Sequence, residues 1–293
     1  MCAVKFTAFV TVIFVSLFST TSQAKQPLDN SKWFHQTQLP NGNAWFNNEQ
    51  QHYTNRIDNS YTSNGTLKIV AKKERYSDQG KTKQYTSARL NSKFAFKYGR
   101  VEIRAKLPTG HGTWPAIWTL GKNISELGAY WQTQGHGTTS WPACGEIDIM
   151  EHWGSRQNFV QSAMHTPSSF GDTINKGEQY VTTVSSQFHV YTMDWSAKEI
   201  LFSVDNKVHY RYQPEEKNPR TWPFNSEQYL ILNLAIEADI YQSFDTAQME
   251  IDYVRVYEQS NLGLENSLVD EIRIYPNPSS NICYIELNDL EPI

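Results

Sequence analysis

Three carboxylates, Glu146, Asp148 and Glu151, stand within six residues of an otherwise apolar run, GEIDIME at 145–151. An unpaired carboxylate is costly to bury, so a strand with only a structural task rarely carries three. On a regular strand, side chains alternate between faces. Glu146 and Asp148 therefore share a face, and Glu151 falls on the opposite one. One extra residue in the Ile149–Met150 region, Met150 by count, makes a β-bulge and returns Glu151 to the face of Glu146. Two glutamates then look into one cleft with an aspartate between them.

Such a pair is the equipment of glycoside hydrolysis. One carboxylate attacks the anomeric carbon and the other protonates the departing oxygen. A third acid can hold the geometry and keep the two pKa values apart. Two rival readings use the same residues. Three acids can bind a hard cation such as calcium, but calcium loops set acids among Gly and Asn in an irregular turn. A solvated outer face is the other rival. It leaves unexplained why Trp114, Trp118, Trp141 and Trp153 gather around this run. Flat indole rings suit the apolar faces of sugars. Trp114 and Trp118 lie four apart, on one face of one strand, with Trp114 the stronger cleft candidate. His165 ends a strand-like run at 162–166 and is placed to meet substrate or an acid.

The elements that position these groups are strands. Residues 66–71 alternate, as do Val101, Ile103 and Ala105 against Glu102, Arg104 and Lys106. Residues 199–204 and 208–212 flank Asp205-Asn206-Lys207, which predicts a hairpin. Residues 229–234 form an apolar run suited to a central strand. Met249, Ile251 and Tyr253 alternate with Glu250, Asp252 and Val254. No long stretch has helical period, so the pattern predicts an all-β sandwich. The polar segment 122–140 interrupts it. A loop of that length is either a cleft rim or a loose insertion.

The 293 residues contain 13% aromatic and 19% charged residues, a balance that argues against a disordered or nucleic-acid-binding chain. Net charge is −4, and residues 25–261 are neutral. Such a body makes no electrostatic funnel for a polyanion. Lys5, an apolar run over 6–18 and the small residues Ser22 and Ala24 read as a secretory signal peptide, residues 1–24. Its apolar stretch is too short to span a bilayer, and no membrane insertion is expected after cleavage. Of Cys2, Cys144 and Cys283, the first is lost with the signal and the others fall in different segments. No disulfide framework is expected, and Cys144 reads as a small buried residue. A composition shift divides the rest into a body at 25–258, a linker at 259–271 and a strand-rich tail at 272–293.

These pieces resemble glycoside hydrolase family 16, and within it the laminarinase-like endo-β-1,3-glucanases. The resemblance spans about residues 30–258. It rests on WFNNE at 45–49, SARL at 87–90, YGRVE at 98–102, GTWPAIW at 112–118, WPACGEIDIME at 141–151, MHT at 164–166, WPF at 222–224 and DYVRVY at 252–257. It implies a jelly-roll β-sandwich of the concanavalin A type with an open cleft on its concave face. It further implies a secreted retaining enzyme acting on β-1,3-glucan, with mixed-linkage β-glucan as a further substrate. A galactan of agar or carrageenan type is the alternative substrate, and a non-catalytic glycan-binding sandwich is a more distant one. By position, Glu146 is the implied nucleophile, Glu151 the acid/base and Asp148 the assisting acid. Asn47, Arg89, Trp114, Trp118 and His165 are the implied glycan contacts. No cofactor is implied for catalysis. Many members hold a structural calcium on the convex side, for which Asp252 is the matching carboxylate. A monomer is expected. The chain departs from the pattern at His152-Trp153-Gly154, in the longer 122–140 segment and at AIEAD, 235–239. The tail, with YPNP at 275–278, resembles the start of a type IX secretion sorting domain. That implies export through this machinery to the outside or the cell surface of a Bacteroidota-like bacterium, if the native gene product completes the domain.

Overall fold

The computed structural model describes residues 24–42 and 44–258. The signal segment, apart from Ala24, the 259–271 linker and the sorting-like tail with Cys283 therefore lie outside the described residues.

Among the described residues sixteen strands follow one another: β1 Trp33–His35, β2 Gln51–Tyr53, β3 Ser60–Ser63, β4 Thr66–Asp78, β5 Lys81–Ser87, β6 Arg89–Ser92, β7 Gly99–Lys106, β8 Thr113–Gly121, β9 Glu146–Glu151, β10 Phe159–His165, β11 Lys176–Tyr180, β12 His189–Trp195, β13 Ile200–Val204, β14 Lys207–Tyr212, β15 Gln228–Ile236 and β16 Thr246–Tyr257. The sole α-helix among the described residues, α1, is Tyr130–Thr133. One sheet has the order β1-β6-β15-β8-β9-β10-β11. The other runs β14-β13-β12-β7-β16-β4-β5-β2, with β3 on β4. Neighbours are antiparallel except β2 with β5. This is the two-sheet sandwich that the alternating runs predict.

The core lies between the sheets. Val101, Ile103 and Ala105 of β7 point inward with no exposed surface. They meet Ile147, Ile149 and Met150 of β9 and Leu230, Leu232 and Leu234 of β15 in one apolar cluster. Each of these side chains larger than alanine contributes about 1.5–3 kcal/mol by leaving water. The central reading of 229–234 holds: β15 lies between β6 and β8, and all nine of its residues are buried. Its outer face ends in Asn233 and Ala235, which border a cavity.

Two expectations change in detail. The hairpin turn is only Asp205-Asn206, both with positive φ (50° and 64°), and Lys207 already opens β14. Two left-handed residues match the twist of paired strands, and Asp and Asn tolerate that conformation. In β16 the alternation does not run through. Ile251 pairs with Ala105 and Tyr253 with Arg104, so Asp252 is an extra residue. Beyond it, Val254 and Val256 are the buried residues and Tyr253 is not. A period-2 reading keeps its phase only until a bulge inserts one residue.

Candidate active site

The bulge predicted from the spacing of the acids is present in β9. Met150 pairs with Ile117 and Asp148 with Trp118, so Ile149 has no partner on β8. The inserted residue is thus Ile149, one position before the expected Met150. Because of it, Ile147, Ile149 and Met150 all enter the core. Glu146, Asp148 and Glu151 all face a cavity of about 210 Å³ on the outer side of the seven-stranded sheet.

Glu151 is buried. Its Oε1 accepts from Trp114 Nε1 at 3.1 Å, and its Oε2 lies 3.5 Å from Gln161 Nε2. Burial first, and the Asp148 charge second, push its pKa up to about 8. It is therefore protonated near neutrality, as a proton donor must be. Burial and the neighbouring carboxyl also raise Glu146, and burial raises Asp148. Two like charges so close cannot both ionise readily, so the pair shares a proton. Trp141 Nε1 donates to Glu146 Oε2 at 3.1 Å, which favours the ion there. Asp148 is 4% exposed and its Oδ2 lacks any aligned donor. The two acids therefore titrate as a pair, and the Trp141 N–H favours charge on the Glu146 side of it.

His165 faces both acids, as its place at the end of β10 predicts. Nε2 lies 3.0 Å from Asp148 Oδ2 and 3.5 Å from Glu146 Oε1, aligned with neither. Its Nδ1 accepts the Gly171 N–H at 3.1 Å, which leaves the ring proton on Nε2. Glu146, Asp148 and His165 bring atoms within 4.8 Å of one another. That set does not suit a cation, because the imidazole presents a proton to it rather than a lone pair.

Asn47, Arg89, Trp114 and Trp118 border the same cavity. Asn47 does so from a 3-10 turn, Phe46–Asn48, in the left-handed region (φ 52°) that Asn accepts readily. Trp118 is held by a chain of bonds. Its Nε1 donates to Asn233 Oδ1 (2.7 Å), Asn233 donates to the Tyr53 hydroxyl (3.1 Å), and that hydroxyl donates to Glu49 (2.8 Å). Arg89 is only 2% exposed, and its guanidinium lies 4.8 Å from the Trp118 ring and 5.2 Å from the Trp45 ring. Its Nη2 donates to Glu126 and its Nε to Gln36, both at 3.0 Å. Arg89 is thus fixed against the Trp118 and Trp45 rings by Glu126 and Gln36.

That ion pair also decides the character of the 122–140 segment, which is tied down. Glu126 enters the cavity wall against Arg89 and Gln36. Backbone bonds join Ser125 to Thr139 and Thr138 to Asn123. Sequence reasoning did not single out Glu126, Glu49 or Asn233. The partners of Glu126 lie 37 and 90 residues away, so no local pattern announces them. Trp141 had been grouped with the cleft aromatics but given no role. Its place five residues before Glu146 was the available signal.

Asp252 lies in the other sheet, at the β16 bulge, and pairs with Arg104 Nη1. A divalent cation would have to displace that guanidinium, so the residues present do not fit the calcium expected there. Cys144 is unpaired and buried, and burial pushes its thiol up to about 12, an inert state.

The family model "Glycosyl hydrolases family 16" matches residues 47–255. Among solved structures, LamA of Zobellia galactanivorans in complex with laminaritriose and laminaritetraose is 44% identical, with a TM-score of 0.73. The match covers 86% of this chain and 100% of that one. The laminarinase of Flavobacterium sp. UMI-01 is 36% identical with a TM-score of 0.68, over 80% of this chain and 96% of that one. The beta-glucanase of Rhodothermus marinus is 38% identical over 245 residues, 78% of this chain and 80% of the relative.

Proposed function

The chain belongs to glycosyl hydrolase family 16, and from that premise we propose that it cleaves internal β-1,3 bonds of a neutral glucan with retention of configuration. The observation that carries this reading is the bulged β9, which sets Glu146 and Glu151 on one cavity wall, with Glu146 taking the Trp141 N–H and Glu151 raised by burial. Glu146 attacks the anomeric carbon and the glycosidic C–O bond breaks. Glu151 gives its proton to the departing oxygen. A glycosyl ester on Glu146 results. Glu151, now ionised, takes a proton from water as that water attacks the same carbon. The sugar leaves and both acids are restored. Asp148 shares a proton with Glu146, so that one charge is present at the nucleophile rather than two. Trp114 and Trp118 offer ring faces to the pyranoses.

The relatives named for laminarin or β-glucan support glucan as the substrate. Reducing-sugar release should be strong on laminarin, present on lichenan, and absent on agarose and carrageenan. Activity on a galactan alone would overturn the choice. Glu146→Gln should abolish release while leaving glucan binding in place. We also read residues 1–24 as removed on export, and the protein as a secreted monomer. The tail is read as an address for type IX secretion. N-terminal sequencing of the secreted protein should begin at Lys25, and sedimentation should give one chain. Retention of the leader would refute the export reading.

A further inference from the structure

A polar contact crosses from one sheet to the other directly behind the bulge. On β10, Gln161 pairs with Glu151 and Ala163 with Asp148, so Ser162 alone faces both Ile149 and Met150. Ser162 lies on the core side of β10, between Val160 and Met164, and has no exposed surface. A hydroxyl there needs partners, and it has two. Its Oγ donates to the Ile149 carbonyl at 2.7 Å. His209 Nε2 lies 2.9 Å from the same oxygen.

His209 belongs to the opposite sheet and also stands at an irregularity. Phe202 pairs with Tyr210 and Ser203 with Val208, so His209 is the extra residue of β14. Two bulges, one in each sheet, therefore meet through one serine. Since the hydroxyl proton goes to the carbonyl, the imidazole must supply the N–H from Nε2. Its Nδ1 is buried with no partner. Burial holds the ring's pKa down to about 4, so it stays neutral above that pH.

We propose that Ser162, backed by His209, is a positioning residue that pins the β9 bulge and so holds Glu151 where it can protonate the leaving oxygen. The inference rests on the reading of Glu151 as the acid/base. A bulge residue drops out of the regular ladder, and its peptide unit is freer to turn. The serine gives the bulge carbonyl a fixed donor. Any rotation at Ile149-Met150 passes directly to Glu151, which is joined to Met150, while Glu146 lies three residues before the pin. Loss of the pin therefore affects proton donation more than nucleophilic attack.

The test compares laminarin with an activated dinitrophenyl laminaribioside, whose leaving group departs without a proton. Ser162→Ala, Ser162→Thr, His209→Phe and the double variant S162A/H209F are assayed beside Glu151→Ala. For Ser162→Ala, kcat on laminarin falls about 10–100-fold with KM nearly unchanged, the scale expected of a catalytic group misplaced by an ångström or less. On the activated substrate, kcat/KM stays within about threefold, because general acid help is no longer required. Ser162→Thr restores most of the loss. The double variant is no worse than Ser162→Ala, since both groups act through one carbonyl. Equal losses on the two substrates, or no loss on either, overturn the proposal. If Ser162→Ala does not fold, His209→Phe alone must show the same split in smaller measure, and its absence is a refutation. If Glu151→Ala itself fails to discriminate the substrates, the acid/base reading falls, which is a separate outcome from failure of the pin.

Discussion

Trp141→Phe tests the electrostatics of the nucleophile most sharply. The substitution removes one N–H, the donor 3.1 Å from Glu146 Oε2, and keeps an aromatic ring beside His165 and Phe170. Hydrogen bonds to a charged group contribute about 1.5–3 kcal/mol. Trp141 is 40% exposed, so the lower end applies, about 1.5 kcal/mol after allowance for solvent. The bond favours the ionised carboxylate, so its loss raises the Glu146 pKa. At about 1.4 kcal/mol per unit, the acidic limb of kcat/KM should move up by about one pH unit. The alkaline limb, set by Glu151, should stay. Initial rates on laminarin across pH, at substrate well below KM, read both limbs. An unmoved acidic limb, or a uniform loss at every pH, would refute the assignment of charge to Glu146.

Other perturbations follow from the same geometry. Burial holds Glu151 at a pKa of about 8, above that of the unfolded chain, so the native state binds more protons between about pH 4.3 and 8. Stability should therefore fall as pH rises through that window, by up to about 1.4 kcal/mol per unit for this group. Glu151→Gln should melt higher than the parent by a margin that grows from pH 5 to 8 and vanishes below 4; a constant margin would refute it. Arg89→Met strands Glu126 in the cavity wall and should cost about 3–5 kcal/mol in urea unfolding, with activity lost alongside. With Arg104 on Asp252, a chelator should leave the melting temperature unchanged, and a clear drop would show that a bound cation contributes.

The chemistry of the site was legible because it is local. Glu146, Asp148 and Glu151 lie in one strand, and a period of two makes the odd offset of Glu151 demand a bulge. The position of the extra residue was missed by one, since counting cannot say which of two apolar residues loses its partner. Trp114 and Trp118 were found for the same reason: both lie on β8. The surroundings were not legible. The resemblance implies Arg89 as a glycan contact, yet it is buried, with Glu126 and Gln36 coming to it from distant segments. The phase of β16 after Asp252 was misread because nothing in its composition marks a bulge. The pin at Ser162 and His209 joins two irregularities in separate sheets, which only the packed structure brings together.

The central claim is that Glu146 carries the sugar. A laminaribiosyl fluoride bearing a second fluorine next to the anomeric carbon should form the ester and hydrolyse slowly. Peptide mapping by mass spectrometry of the trapped protein then locates the label. The account predicts one laminaribiosyl adduct on Glu146. A label on Glu151 or Asp148, or an inactivated protein with no adduct in the 145–151 peptide, would contradict it.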